Sequence, residues 1–158
     1  MELRISLEDP AQPDIIALLQ DGERHSANLY PAESIHQLPL EALRAVHIRF
    51  LVARDDAGRA IATGGIALFG SGAECWAELK RMWVVPNARG TGVSRALLQQ
   101  LEARASNEGA RCLRLETGIK NHAALVLYER AGFTRCGPFG DYRPDPLSVF
   151  MQKELASR

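Results

Sequence analysis

The apolar positions change period several times along the chain, and each change marks an element. Leu3, Ile5 and Leu7 alternate with polar residues, as a half-buried strand does, and Asp9-Pro10 ends that run before residues 14–20, which read as a helix. From residue 24 to residue 39 the periodicity fades among Asn28, Pro31, Ser34 and Pro39, and residues 39–43 then suggest a short helix with proline in its first turn. Residues 47–54 and 60–69 are β-rich runs joined by Asp55-Asp56-Ala57-Gly58-Arg59, a composition suited to an antiparallel hairpin. Residues 73–85 make a long third strand. A turn through Gly90 and Gly92 leads into a helix over residues 93–107, where Val93, Ala96, Leu97, Leu101 and Ala105 recur at helical spacing. Gly109 closes that helix, and a strand over residues 112–116 follows, giving a strand–glycine loop–helix–strand unit. A further helix over residues 123–131 stops at Gly132, with Phe133 and residues 147–151 as closing strands.

The length, 158 residues with 46% hydrophobic content, predicts a single domain over residues 1–158 with its own core. Nineteen basic side chains balance nineteen acidic ones, so no global field recruits nucleic acid or anionic lipid. Cys75, Cys112 and Cys136 are odd in number and widely spaced, against a disulfide framework or a structural zinc site. His25, His36, His47 and His122 are too dispersed to define a metal set, and no metal is expected. Residues 1–10 lack the apolar core of a signal peptide, and no stretch reaches membrane-spanning length, so a cytoplasmic protein is expected.

The sharpest local feature is Arg89-Gly90-Thr91-Gly92-Val93-Ser94, placed where a strand ends and a helix begins. Free backbone N–H groups and the helix dipole converge there, which suits a pyrophosphate, and Arg89 adds a charge-assisted contact. The loop lacks the Gly-Lys-Ser/Thr of a Walker loop, and it lacks the third glycine and following acid of a dinucleotide fingerprint. Alone, it is equally a glycine-rich turn that starts a helix.

With Met82-Trp83-Val84-Val85-Pro86 leading into it, this loop resembles motif A of the GNAT superfamily of N-acetyltransferases. The last loop position departs from the family pattern by carrying Ser94 where glycine or alanine is usual. Asn121-His122-Ala123-Ala124-Leu125-Val126-Leu127-Tyr128-Glu129-Arg130-Ala131-Gly132-Phe133 is similar to motif B. The segments Tyr30-Pro31-Ala32-Glu33-Ser34-Ile35-His36 and 138–151 resemble the YsnE-like branch of the superfamily.

The resemblance implies the GNAT α/β (α+β) fold, a mixed, mostly antiparallel sheet of six to seven strands flanked by four helices, with a splayed central strand pair. It implies acetyl-CoA as cosubstrate, bound through the backbone of Met82, Trp83 and Val84, through Arg89, Gly90, Thr91, Gly92, Val93 and Ser94, and through Asn121 and Tyr128. An N–H around Met82 to Val84 would polarise the acetyl carbonyl, and Tyr128 would protonate the departing thiolate. Glu78 lies four residues before Met82, on the same face of a regular strand, and matches the glutamate that deprotonates the amine in histone-type members. An exposed ion pair of Glu78 with Lys80 or Arg81, with water as base, is the alternative. Asparagine at position 121 also suits a side-chain helix cap.

Tyr30, Glu33, His36, Asp141 and Tyr142 fall in segments expected to flank the cleft, and their carboxylates suit an amine acceptor. Asp145-Pro146 is as readily a plain turn. The expected acceptor is a small-molecule amine or amino acid, with no nucleic acid or membrane partner. A protein N-terminus or lysine, a non-catalytic acetyl-CoA-binding module, and assembly as a homodimer remain open.

Overall fold

The structure is a computed structural model and describes residues 2–155. The strands are β1 (Arg4–Leu7), β2 (Ile48–Arg54), β3 (Ala60–Phe69), β4 (Trp76–Val84), β5 (Cys112–Gly118), β6 (Thr134–Cys136) and β7 (Ser148–Glu154). The helices are α1 (Pro13–Leu29), α2 (Leu40–Leu43), α3 (Val93–Asn107) and α4 (His122–Arg130). Among the described residues one seven-stranded sheet runs β1-β2-β3-β4-β5-β7-β6, antiparallel throughout except for β4 beside β5. This is the mixed sheet with four helices expected from the sequence. No helix among the described residues is long and apolar enough to cross a membrane.

Alternation along the strands divides the apolar residues between two faces. On one, Ile48, Phe50 and Val52 of β2 meet Ile15 and Leu19 of α1 and Leu43 of α2. On the other, Leu51 and Ala53 join a larger core in which Leu97, Leu98 and Leu101 of α3 meet Leu79, Leu113 and Leu115. In the β2–β3 turn the Asp55 carboxylate accepts from the Ala57 and Arg59 N–H groups, so the hairpin carries its own local staple.

Several elements differ from their sequence pattern, among them the closing strands, of which β6 begins at Thr134, just past Phe133, and β7 runs on to Glu154, beyond residue 151. Helix α1 continues to Leu29, well past residue 20, because Gly22 packs its backbone against the Trp83 indole and tertiary contact outweighs weak periodicity. Strand β4 begins at Trp76, since Gly72–Glu74 form a 3-10 turn. Strand β5 reaches Gly118, two residues beyond the alternating run.

The largest departure lies inside β4. Thr63 pairs with Trp83 and Gly65 with Lys80, so Arg81 and Met82 together face the single residue Gly64. This bulge reverses the side-chain alternation. Glu78 and Lys80 reach Tyr142, whereas the Met82 sulfur lies on the α3 side near Leu97 and Leu101, over Gly64. Glu78 and Met82 therefore sit on opposite faces, contrary to the regular-strand expectation. Arg81 is the non-glycine residue with a left-handed backbone (φ 56°) among the described residues, a conformation that costs about 1–3 kcal/mol. Its side chain, 3% exposed, donates to the carbonyls of Leu38 (2.6 Å) and Leu19 (3.0 Å) and to Glu23 (3.3 Å). Hydrogen bonds from a charged donor are worth about as much as the strain they accompany.

Strand β4 pairs with β5 only at Ala77↔Leu113 and Glu78↔Arg114. Beyond that point the two strands separate, as expected of the splayed pair, and the gap opens on the face carrying Lys80 and Arg81.

Leu101 is fully buried beneath the bulge. Leu101→Ala should lower stability by about 2–5 kcal/mol, read as a reduced urea midpoint with an unchanged m-value.

Candidate active site

The gap between β4 and β5 widens into a cavity of about 130 Å³, walled by α1, the 34–37 segment, β4, β5, α4 and Tyr142. The strand ends, the start of α4 and the irregular segments converge here because separated strands cannot fill the space themselves.

The glycine loop lies at one end of β4. Gly90 (φ 75°) and Gly92 (φ 88°) both need the left-handed backbone that glycine adopts without penalty, and a Cβ at either would meet nothing within 4 Å. Gly92 takes the N-cap position of α3 and offers no side-chain cap, so the first-turn N–H groups of Val93 and Ser94 face outward without one. An open, uncapped helix start of this kind suits a phosphate. Arg89 packs its guanidinium 4.9 Å from the Trp83 ring centroid and donates through Nε to the Val84 carbonyl at 3.1 Å. Thr91 Oγ1 donates back to the Ala88 carbonyl and braces the turn.

Tyr128 is 5% exposed, its ring edge-on to Phe133, and it forms part of the cavity wall. Its hydroxyl makes no hydrogen bond to the described residues, and burial pushes the phenol pKa well up, which keeps it protonated. Asn121 occupies the N-cap position of α4 but does not cap it with its side chain, as the sequence suggested it would. Its Nδ2 instead donates to Thr117 Oγ1 at 3.2 Å, which ties the helix start to the end of β5.

Glu78 is 5% exposed and locked in a three-member set. Tyr142 Oη donates to its Oε2 at 2.5 Å, Lys80 Nζ donates to the same oxygen at 2.7 Å, and Lys80 also donates to Tyr142 at 2.9 Å. The carboxylate pairs with Lys80, as in the alternative to a base role, but it is buried where that alternative expected it exposed, and Arg81 turns to α1. The Tyr142 pKa is driven up by burial and then by the Glu78 carboxylate. Glu78 is not part of the cavity lining; Lys80 and Tyr142 are.

Of the expected acceptor residues, Tyr30, His36 and Tyr142 line the cavity, whereas Glu33 and Asp141 are exposed and lie outside its lining. The Tyr30 hydroxyl accepts from the Lys120 N–H at 2.9 Å over Gly118, where a Cβ would lie 2.0 Å from that oxygen. The ring of His36 meets Tyr142 edge-on at 5.3 Å, and Ser34 Oγ donates to Asp145 Oδ2 at 2.8 Å. Asp145 also caps its own turn through the Leu147 N–H. These contacts tie residues 34–36 to residues 142–145 beside the cavity.

Among the lining residues that the sequence did not single out is a carboxylate, Glu116. Glu116, on β5, accepts a hydrogen bond from Ser148 Oγ at 2.7 Å and forms no ion pair among the described residues. Burial raises its pKa, an effect partly offset by that hydrogen bond and by the charges of His36 and Lys80. The available signal was the alternation of Leu113 and Leu115, which places Glu116 on the opposite face at the end of a parallel strand. Burial also raises the thiol pKa values of Cys112 and Cys136, so neither carries the marks of an activated nucleophile. No group of three or more His, Cys, Asp or Glu side chains among the described residues is placed to hold a metal ion.

The profile of the acetyltransferase (GNAT) family matches residues 13–133. An IAA acetyltransferase of Azospirillum brasilense is 44% identical over 96% of this chain and 97% of its own length. The N-acetyltransferase YsnE of Bacillus subtilis is 34% identical over 97% of this chain and 100% of its own. Among solved structures, a Klebsiella pneumoniae protein described as an acyl-CoA N-acyltransferase superposes with a TM-score of 0.81 at 35% identity, covering 98% of both chains.

The raised pKa of Glu116 predicts the sign of a pH effect. Folding favours its protonated form, so that contribution is present below the ordinary carboxyl value of 4.5 and is lost as pH rises through the folded pKa. Glu116→Gln should therefore be more stable than wild type at neutral pH, and the difference should vanish in acid, as measured by urea denaturation across that range.

Proposed function

The chain belongs to the acetyltransferase (GNAT) family, and from that premise we propose that it transfers an acetyl group from acetyl-CoA directly to the primary amine of a small molecule. The observation that carries the reading is a cavity at the β4–β5 gap whose walls hold a carboxylate with no ion pair, and a phenol with no hydrogen bond, among the described residues. The uncapped start of α3 beside Gly90 and Gly92 fits the pyrophosphate of the coenzyme, with Arg89, Thr91, Val93 and Ser94 around it. The cosubstrate supplies an activated thioester.

The protein side of the transfer divides among three groups. Glu116 takes the proton of the acceptor amine, because it lines the cavity and burial raises its proton affinity above that of an ordinary carboxylate. Backbone N–H groups of the Met82 to Val84 stretch face the carbonyl of the thioester. Tyr128, held protonated by burial, returns a proton to the leaving sulfur. In this reading Glu78 serves as the counter-charge that holds Lys80 and Tyr142 in the wall, and not as the base. No acyl-enzyme is required.

The contacts of Ser34 with Asp145 and of His36 with Tyr142 favour an acceptor small enough to be enclosed, over a peptide laid across the cleft. The IAA acetyltransferase relative supports the same size class.

Calorimetric titration with acetyl-CoA and thiol-release assays over a panel of small amines, peptide N-termini and lysine peptides test the proposal. Turnover of a small amine is expected, while binding without turnover of any amine would leave only a coenzyme-binding module. Tyr128→Phe should lower kcat by about 10²-fold with little change in acetyl-CoA affinity. The acid limb of the kcat profile at saturating amine should stay in place in Glu78→Gln but move to higher pH, set by the ammonium of the acceptor itself, in Glu116→Gln, and the reverse pattern would return the base role to Glu78.

A further inference from the structure

Arg81 occupies the most constrained backbone position in β4, and its surroundings say what the constraint controls. Thr63, fully buried on β3, donates from Oγ1 to the Arg81 carbonyl at 3.3 Å. The carbonyl of the peptide joining Arg81 to Met82 therefore points toward β3. Every peptide here is trans, so the Met82 N–H on that same planar unit points the opposite way, toward the gap left by β5. The direction of this one amide is held from both ends: by Thr63 on the carbonyl, and by the guanidinium, whose bonds to Leu19, Leu38 and Glu23 keep Arg81 left-handed.

The geometry points to Arg81 as a positioning residue for acetyl transfer, which aims the Met82 N–H at the carbonyl of the bound acetyl group. Its anchors lie on α1 and at the end of the 31–38 segment, so the same side chain ties the donor-polarising amide to the segment that flanks the cavity. Arg81 itself touches no reacting atom. Met82 is free to present its amide because its side chain turns away into the core over Gly64, where a Cβ would come within 2.7 Å of the sulfur. The inference rests on the reading that acetyl-CoA binds in this gap.

The carbonyl stretch of isotopically labelled acetyl-CoA, followed by infrared difference spectroscopy, reports polarisation at the reacting bond. Bound to wild type, it should move to lower frequency than in solution. In Arg81→Ala it should return toward the solution value, with kcat down about 10- to 100-fold and affinity for coenzyme A itself within about twofold. Arg81→Gly accepts the left-handed backbone without strain but lacks the anchors. It serves if the alanine variant does not fold, and it should show the same partial loss of the shift. A shifted stretch in wild type that persists with full kcat in a folded Arg81 variant overturns the inference alone. An unshifted stretch in wild type overturns the reading beneath it, and the inference with it.

Discussion

One extra residue in β4 governs the centre of the molecule. With Arg81 and Met82 opposite Gly64, the strand cannot keep both its antiparallel ladder with β3 and its parallel ladder with β5, and the parallel one ends after two positions. Separated strands leave backbone polar groups and space that the sheet would otherwise close. Everything else at the cleft answers that opening: α4 begins beside it, Asn121 ties that start to β5, and residues 34–36 are tied to residues 142–145 beside it.

The charges follow from strand geometry as well. Glu78 and Lys80, two residues apart in the regular stretch of β4 before the bulge, share one face and neutralise each other around the Tyr142 hydroxyl. Their mutual contact makes a buried ion pair tolerable, as both are also hydrogen-bonded. Glu116 forms no ion pair among the described residues, and desolvation outweighs the more distant charges of His36 and Lys80. A fold optimised for stability alone would carry a neutral side chain there, and groups left in unfavourable electrostatic surroundings cluster where chemistry is done. Tyr128 is a second case, a phenol buried against Phe133 with its hydroxyl unbonded among the described residues.

Much of this was legible in the chain. The hairpin at Asp55, helix α3, the glycine loop and helix α4 with Gly132 beyond it all declare themselves through local rules: turn residues, helical spacing and positive-φ glycines. Membership of the GNAT family was legible from the segments around Arg89 and Tyr128. Less legible were the long α1, whose second half is held by packing against Trp83, and the side chain of Asn121, which prefers Thr117 to the helix end it caps in sequence.

The order of the elements and the family could be read along the chain, because periodicity, caps and turn chemistry act within a few residues of one another. Which residues share the cleft came from contacts between distant segments. These set Glu78 and Met82 on opposite faces, left Glu33 and Asp141 outside, and brought in Glu116 and Arg81. The reason is that a single-residue bulge shifts every side chain after it by one face, and the partners that stabilise that bulge, Leu19, Leu38 and Thr63, are far from Arg81 in the chain.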